Sequence, residues 1–349
     1  MAYTTINKSS DFFNTLLYTG NGSARTVTGV GFQPNMFWIK NRSNAFSHLL
    51  GDTVRGGNYY LTPNSSAVQN NDIGTFASAS DGYSLSNDTS FNQNSANIVG
   101  WNWKAASTGS GNTGGSGTYK TYTYSVDTTA GFSIIKFQGN GTAGHTIPHH
   151  LGVAPDLVFL KRLDNANNWY VWGSAATGIA ANQQIELNNT TAAYNPGGNY
   201  HNDTRPSSTV ITLGDDAGSN GNNNDIMIYA FASKKGYSKI GTYTGNGSNA
   251  EGTFVYTGFK PAFVMFKRTS GTGNWQLLDN KRLGYNPLNY TLYPNTNNTD
   301  QDEGDIYLLS NGFKLRGTGT DGNGDGSTYM YMAFGQSIVG SNNIPATAW

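Results

Sequence analysis

One five-residue pattern, aromatic–Thr/Gln–Gly–Asn–Gly, occurs three times, at Tyr18–Gly22, Phe137–Gly141 and Tyr243–Gly247. Each copy is followed by a second block, Gly-x-x-Pro and an apolar run ending in lysine: Gly31–Lys40, Gly152–Lys161 and Gly258–Lys267. A third block closes each unit: Ile98–Trp103, Ile226–Phe231 and Tyr329–Phe334. The block prolines Pro34, Pro155 and Pro261 lie 121 and 106 residues apart. Three blocks in one order, three times, require one fold repeated three times. The spacing exceeds that of solenoid repeats and predicts three tandem domains.

Each unit reads as all-β. Asn-Gly between apolar runs is a hairpin signal, because both residues tolerate positive φ. Proline followed by an apolar run reads as the start of a buried strand, where proline is tolerated. Met36–Ile39 and its copies are apolar at successive positions, as in a central strand covered on both faces. Only three glutamates occur, Glu186, Glu251 and Glu303, which argues against a helical chain. The fold class expected is three tandem antiparallel β-sandwich, jelly-roll-like domains: 1–105, 119–235 and 236–340, with a tail at 341–349. Residues 106–118, within the stretch AASTGSGNTGGSGT, read as a flexible Gly/Ser linker that frees the first domain. Only Ser233–Gly236 separates the other two, which predicts a coupled pair.

The blocks resemble a repeat domain of unknown function found in structural proteins of marine bacteriophages, of the cyanophage and pelagiphage type. In the first unit the resemblance is carried by Gly31–Arg42, Asp52–Gly56, Gly82–Leu85 and Trp101–Ala105. Gly131–Ile135 and His150–Pro155 carry it in the second. Gly236–Gly247, Phe254–Phe263, Gly312–Gly317 and Tyr329–Phe334 carry it in the third. It implies a jelly-roll sandwich on a virion surface or tail fibre, and it brings no catalytic residue.

The chemistry available is limited. Charged residues make up 12% of the chain and balance to zero, a poor basis for binding nucleic acid or an anionic membrane. No cysteine means no disulfide, thiol or Cys-zinc chemistry. His145, His149 and His150 cluster, but Pro148 removes helical metal-ligand spacing, so they read as a loop. Asp321–Gly326 (DGNGDG) matches the first half of a calcium loop, yet its twelfth position is Met332, so it reads as a turn. Gly317–Gly322 spells a dinucleotide fingerprint without the strand-to-helix context that gives it meaning. No catalytic residue, metal site or cofactor is assigned, and no enzyme is expected.

Two patterns recur by position. Lys40 and Asp52 are twelve residues apart, as are Lys267 and Asp279, with Arg55 and Arg282 following; the second unit has Lys161 but Gly173 and Ala176. A hairpin between each Lys and Asp predicts an ion pair across it. Fourteen residues after each block proline stand His48, Trp169 and Trp275, which read either as core or as a sugar platform. Trp169, Trp172 and Trp275 are the candidate surface-binding aromatics.

Met1–Ser10 is polar and begins no signal peptide, and no window approaches the ~18 apolar residues of a membrane span. The expectation is a virion protein made in the host cytoplasm and exposed on the particle. Its first reading is a tail-fibre or adhesin component for host attachment, anchored by its N-terminal domain. Capsid or tail decoration is the alternative, and a polysaccharide depolymerase or lectin the third. Expected partners are other virion proteins, further copies in a homotrimer, and a host surface glycan or receptor.

Overall fold

The structure is a computed structural model and describes residues 4–6 and 8–337; the tail at 341–349 lies outside the described residues. The chain is all-β, and its sheets are antiparallel. In the first unit an opening strand Phe13–Thr19, a closing strand Asn97–Trp103, a central strand Met36–Asn41 and a return strand Leu49–Asp52 bond in that spatial order. Arg25–Thr28, Gly82–Leu85 and Phe76–Ala79 form a second sheet. The order opening–closing–central–return recurs as Phe132–Gln138, Asp225–Phe231, Leu157–Arg162 and Tyr170–Gly173. It recurs again as Ser238–Thr244, Thr328–Gly335, Pro261–Arg268 and Gln276–Asp279. Pro34 and Pro155 stand two residues ahead of their central strands, and Pro261 begins its own.

Side chains alternate along a strand, so each inner sheet has two faces to bury. One face lies inside its own sandwich. Phe37 and Ile39 join Tyr83, Phe91 and Ile98 there in the first unit. Val158 and Leu160 join Ile211 and Ile228 in the second. Val264 and Phe266 join Phe313 and Tyr331 in the third. The other face of all three inner sheets enters one shared core, which holds Trp38, Trp101 and Trp103 with Phe159, Tyr229, Phe231, Met265, Met332 and Phe334. This double burial explains why the central strands are apolar at successive positions.

The last residues of the three closing blocks are Trp103, Phe231 and Phe334. Their ring centroids lie 6.4, 5.7 and 6.2 Å apart in the three pairings. Three copies of one position that all touch one another define a pseudo-threefold axis. The sandwiches therefore form a ring, and each unit contacts both others.

Three expectations fail here. Residues 106–118 are not a free linker: Ser107–Asn112 is a strand paired with Thr121–Asp127, and Gly114–Gly115 pairs with His145–Thr146. Glycine serves there as space. A Cβ on Gly109 would lie 2.5 Å from Tyr124 Oη, and one on Gly111 2.8 Å from Tyr122 Oη, so each ring lies over a glycine of the neighbouring strand. The first unit is likewise not free, because it contributes to the shared core. The Gly-Asn-Gly copies are not two-residue hairpins either. They cross between sheets: Phe13–Thr19 pairs with the closing strand, whereas Arg25–Thr28 pairs with Gly82–Leu85.

Those crossings are held by three buried asparagines that sequence reading overlooked. Asn92, Asn220 and Asn323 each accept, at 3.1 Å, the backbone N–H of the Gly-Asn-Gly asparagine: Asn21, Asn140 and Asn246. Their amide nitrogens donate to Ser23 O, Thr142 O and Ser248 O at 2.7–3.2 Å. The first glycine of each copy is needed for close approach, since a Cβ on Gly20, Gly139 or Gly245 would sit 2.0–2.4 Å from a carbonyl oxygen beside the clamp.

Candidate functional site

The recurring charged and aromatic positions build the seams of the ring. Lys40 and Asp52 do not face each other, because the hairpin register sets Asp52 opposite Met36 and Leu49 opposite Ile39. Asp52 instead pairs with Arg55 at 2.5 Å, and Asp279 with Arg282 at 2.7 Å, with all four side chains buried. Each aspartate also meets a donor from another unit: Tyr229 Oη donates to Asp52 at 2.7 Å and Trp101 Nε1 to Asp279 at 3.1 Å. In the remaining combination both partners are replaced together. Gly173 stands at the aspartate position, and Met332 stands where the repeat puts the donor. Burial alone would raise the Asp279 carboxyl; Arg282 and the N–H groups of Lys281 and Arg282 outweigh it and hold the group below its ordinary value.

Lys40, Lys161 and Lys267 are fully buried. Lys161 Nζ donates to Ser66 O of the first unit at 3.0 Å, and Lys267 Nζ to Thr190 O of the second at 3.3 Å. Lys40 Nζ donates to Asn41 O at 2.5 Å. Burial lowers each of these amines to about 8.

The candidate surface aromatics are not on the surface. Trp169 and Trp275 are 0% exposed and Trp172 3%. The shared column is a seam contact: Trp169 Nε1 donates to Thr62 O at 3.1 Å and Trp275 Nε1 to Glu186 O at 2.8 Å. His48 takes the third place. Trp38 Nε1 donates to its Nδ1 at 2.9 Å, so Nε2 carries the proton and faces Tyr293 O at 3.1 Å. Burial holds that ring neutral, well below the ordinary histidine value. These positions are apolar-bodied with one polar tip, which suits a seam as well as a sugar platform.

The three histidines of the cluster make different contacts. His145 contacts Asn220 Oδ1 and Thr113 Oγ1, His149 contacts Ser207 O, and His150 stacks on Tyr124 at 3.8 Å. Asp321 accepts two hydrogen bonds from Asn274, and Asn323 is the clamp described above. Among the described residues no group of three His, Cys, Asp or Glu could hold a metal ion. Nor, among them, is any helix long and apolar enough to cross a membrane.

A groove of about 860 Å³ lies on the surface between the first and second sandwiches. Gln33, Thr53 and Lys104 line its first-unit side; Ser110, Thr123 and Tyr124 line the other. Its polar floor is organised by Asn35, which accepts from Ala105 N at 2.8 Å and donates to Thr53 Oγ1 at 3.2 Å. The Tyr124 ring is fixed between His150 and the glycine strand. Hydroxyls and amides around the edge of one held aromatic ring can exchange hydrogen bonds with the hydroxyls of a sugar ring. No lining residue is Asp, Glu or His, so the groove presents no carboxylate or imidazole.

The model of one family, a domain of unknown function (DUF7483), matches residues 8–337. The chain belongs to this family. No curated protein and no solved structure matches it. The DUF7483 match runs through all three sandwiches, as the shared core does. In this DUF7483 chain the groove was hidden from sequence reading because Gly109 and Ser110 read as linker. The clamp asparagines did leave a signal, standing six residues before each closing block.

Proposed function

We propose that this protein is a non-enzymatic structural protein exposed on a bacteriophage particle, and that it serves host attachment by holding a surface glycan in the groove between its first two sandwiches. The observation that carries the glycan reading is the groove's lining of hydroxyls and amides beside the fixed Tyr124 ring. The absence of carboxylates from that lining favours binding over hydrolysis, which needs a carboxylate pair. The phage setting rests on the resemblance of the repeated blocks. On this reading the other surfaces meet virion proteins and further copies in a homotrimer, with the N-terminal sandwich nearest the particle.

Decoration of a capsid or tail is the second reading, favoured by a ring with no shaft among the described residues. A glycan array probed with the purified protein tests the first. Binding that Tyr124→Ala removes supports attachment; an empty array, with antibody label spread over the capsid in micrographs, supports decoration. Release of reducing sugar from a bound polysaccharide would contradict both.

A further inference from the structure

The corner that opens the groove in the first sandwich recurs in the other two, and the copies differ in one side chain. In the first, Asn35 ties Ala105 N and Thr53 Oγ1 together. In the second, Asp156 does the same, accepting from Ser233 N at 2.9 Å and Ser174 Oγ at 2.7 Å. In the third the position is Ala262. One backbone bond of the corner is kept: Asn280 N donates to Ala262 O at 2.9 Å, as Thr53 N does to Asn35 O at 2.9 Å and Ser174 N to Asp156 O at 3.0 Å. The tying side chain is missing, and Gln336 N, the counterpart of Ala105 N and Ser233 N, donates instead to Lys260 O at 2.8 Å. Asn280 Oδ1 is accordingly buried without a hydrogen-bond partner.

A cleft of about 430 Å³ opens at this place. Leu288 and Leu308 give it an apolar side, and Lys260 and Gln336 supply polar groups. Tyr285 lines it with a side chain 67% exposed. Asn286 is occupied elsewhere, exchanging two hydrogen bonds with the Leu308 backbone and so fixing the segment that carries Tyr285.

We infer that this cleft is a second ligand site, one that takes a single hydroxyl-bearing ring such as the terminal sugar residue of a glycan. A buried acceptor without a donor is unfavourable, and a ligand hydroxyl supplies the donor that Ala262 cannot. The exposed Tyr285 ring offers a flat face for a C–H surface, and the two leucines take an apolar edge. The volume lies within the ordinary range of small-ligand pockets and suits one or two sugar rings. The ligand class rests on the glycan reading above; the site itself rests on the comparison of the three copies.

Saturation-transfer NMR on the whole chain with galactose, N-acetylglucosamine and galacturonate at millimolar concentration tests this. At least one sugar should receive magnetisation, and Tyr285→Ala should weaken its binding about tenfold or more. Ala262→Asn is the sharper variant: it restores to Asn280 the partner found in the first sandwich, so it should occupy the acceptor that the ligand hydroxyl needs while the fold is kept. Binding lost in Ala262→Asn and kept in Tyr124→Ala assigns the sugar to this cleft. Binding lost only in Tyr124→Ala, or no transfer to any of the three sugars, overturns the proposal. The first of those results leaves the groove reading standing, which keeps the two failures distinct.

Discussion

A buried carboxylate needs more than one neighbour, and Asp52 and Asp279 show how the ring provides them. Each caps its own turn through Oδ1, pairs with an arginine through Oδ2, and receives a donor from a different unit. Removing one member leaves an unpaired buried charge, which costs about 3–5 kcal/mol. Arg282→Met should therefore cost that much in denaturant unfolding, whereas Tyr229→Phe, which removes one hydrogen bond to a charged group, should cost about 1–3 kcal/mol. The lysines set the pH dependence. Their amines titrate near 8 in the fold against 10.5 ordinarily, so the folded chain sheds these protons first. Stability should rise between about pH 8 and pH 10 as the unfolded chain comes to bind more protons. Above about pH 10 the sign reverses, because burial holds Tyr18, Tyr229, Tyr237 and Tyr243 protonated in the fold. Melting temperature against pH should show that maximum, and Lys161→Met should flatten its rising side; a flat profile in the parent protein would refute the assignment.

Among the elements, the central strands were legible and the glycine strand was not. Gly-x-x-Pro and an apolar run describe one local event, a chain turning into a strand covered on both sides, and nothing distant alters it. Gly109 and Gly111 owe their identity to Tyr124 and Tyr122, fifteen and eleven residues away in another strand, and composition cannot report a cross-strand ring. The hairpin reading of Gly-Asn-Gly failed for a related reason: its geometry is set by Asn92, Asn220 and Asn323, some 70 to 80 residues distant. The Lys–Asp pair failed through register, which spacing alone does not fix. Gly109→Val should cost about 1–3 kcal/mol by forcing Tyr124 from its place. Amide exchange over Ser107–Asn112 should be slow where those groups bond to Thr121–Asp127; exchange at the rate of an unstructured chain would restore the linker reading.

For the whole molecule, two seams join units that the chain already links, and the seam between the first and third has no such link. It carries its own ion network, in which Arg42 and Arg282 both bond Asp300, at 2.7 and 2.8 Å. Asp300→Asn should loosen that seam and lower stability by about 1–3 kcal/mol, with no change at the other two. The central claim is that three sandwiches share one core and stand or fall together. Calorimetric unfolding of the intact chain tests it most directly. The account predicts a single transition whose calorimetric and van't Hoff enthalpies agree. Separate transitions for the first sandwich and for the remaining pair would contradict it.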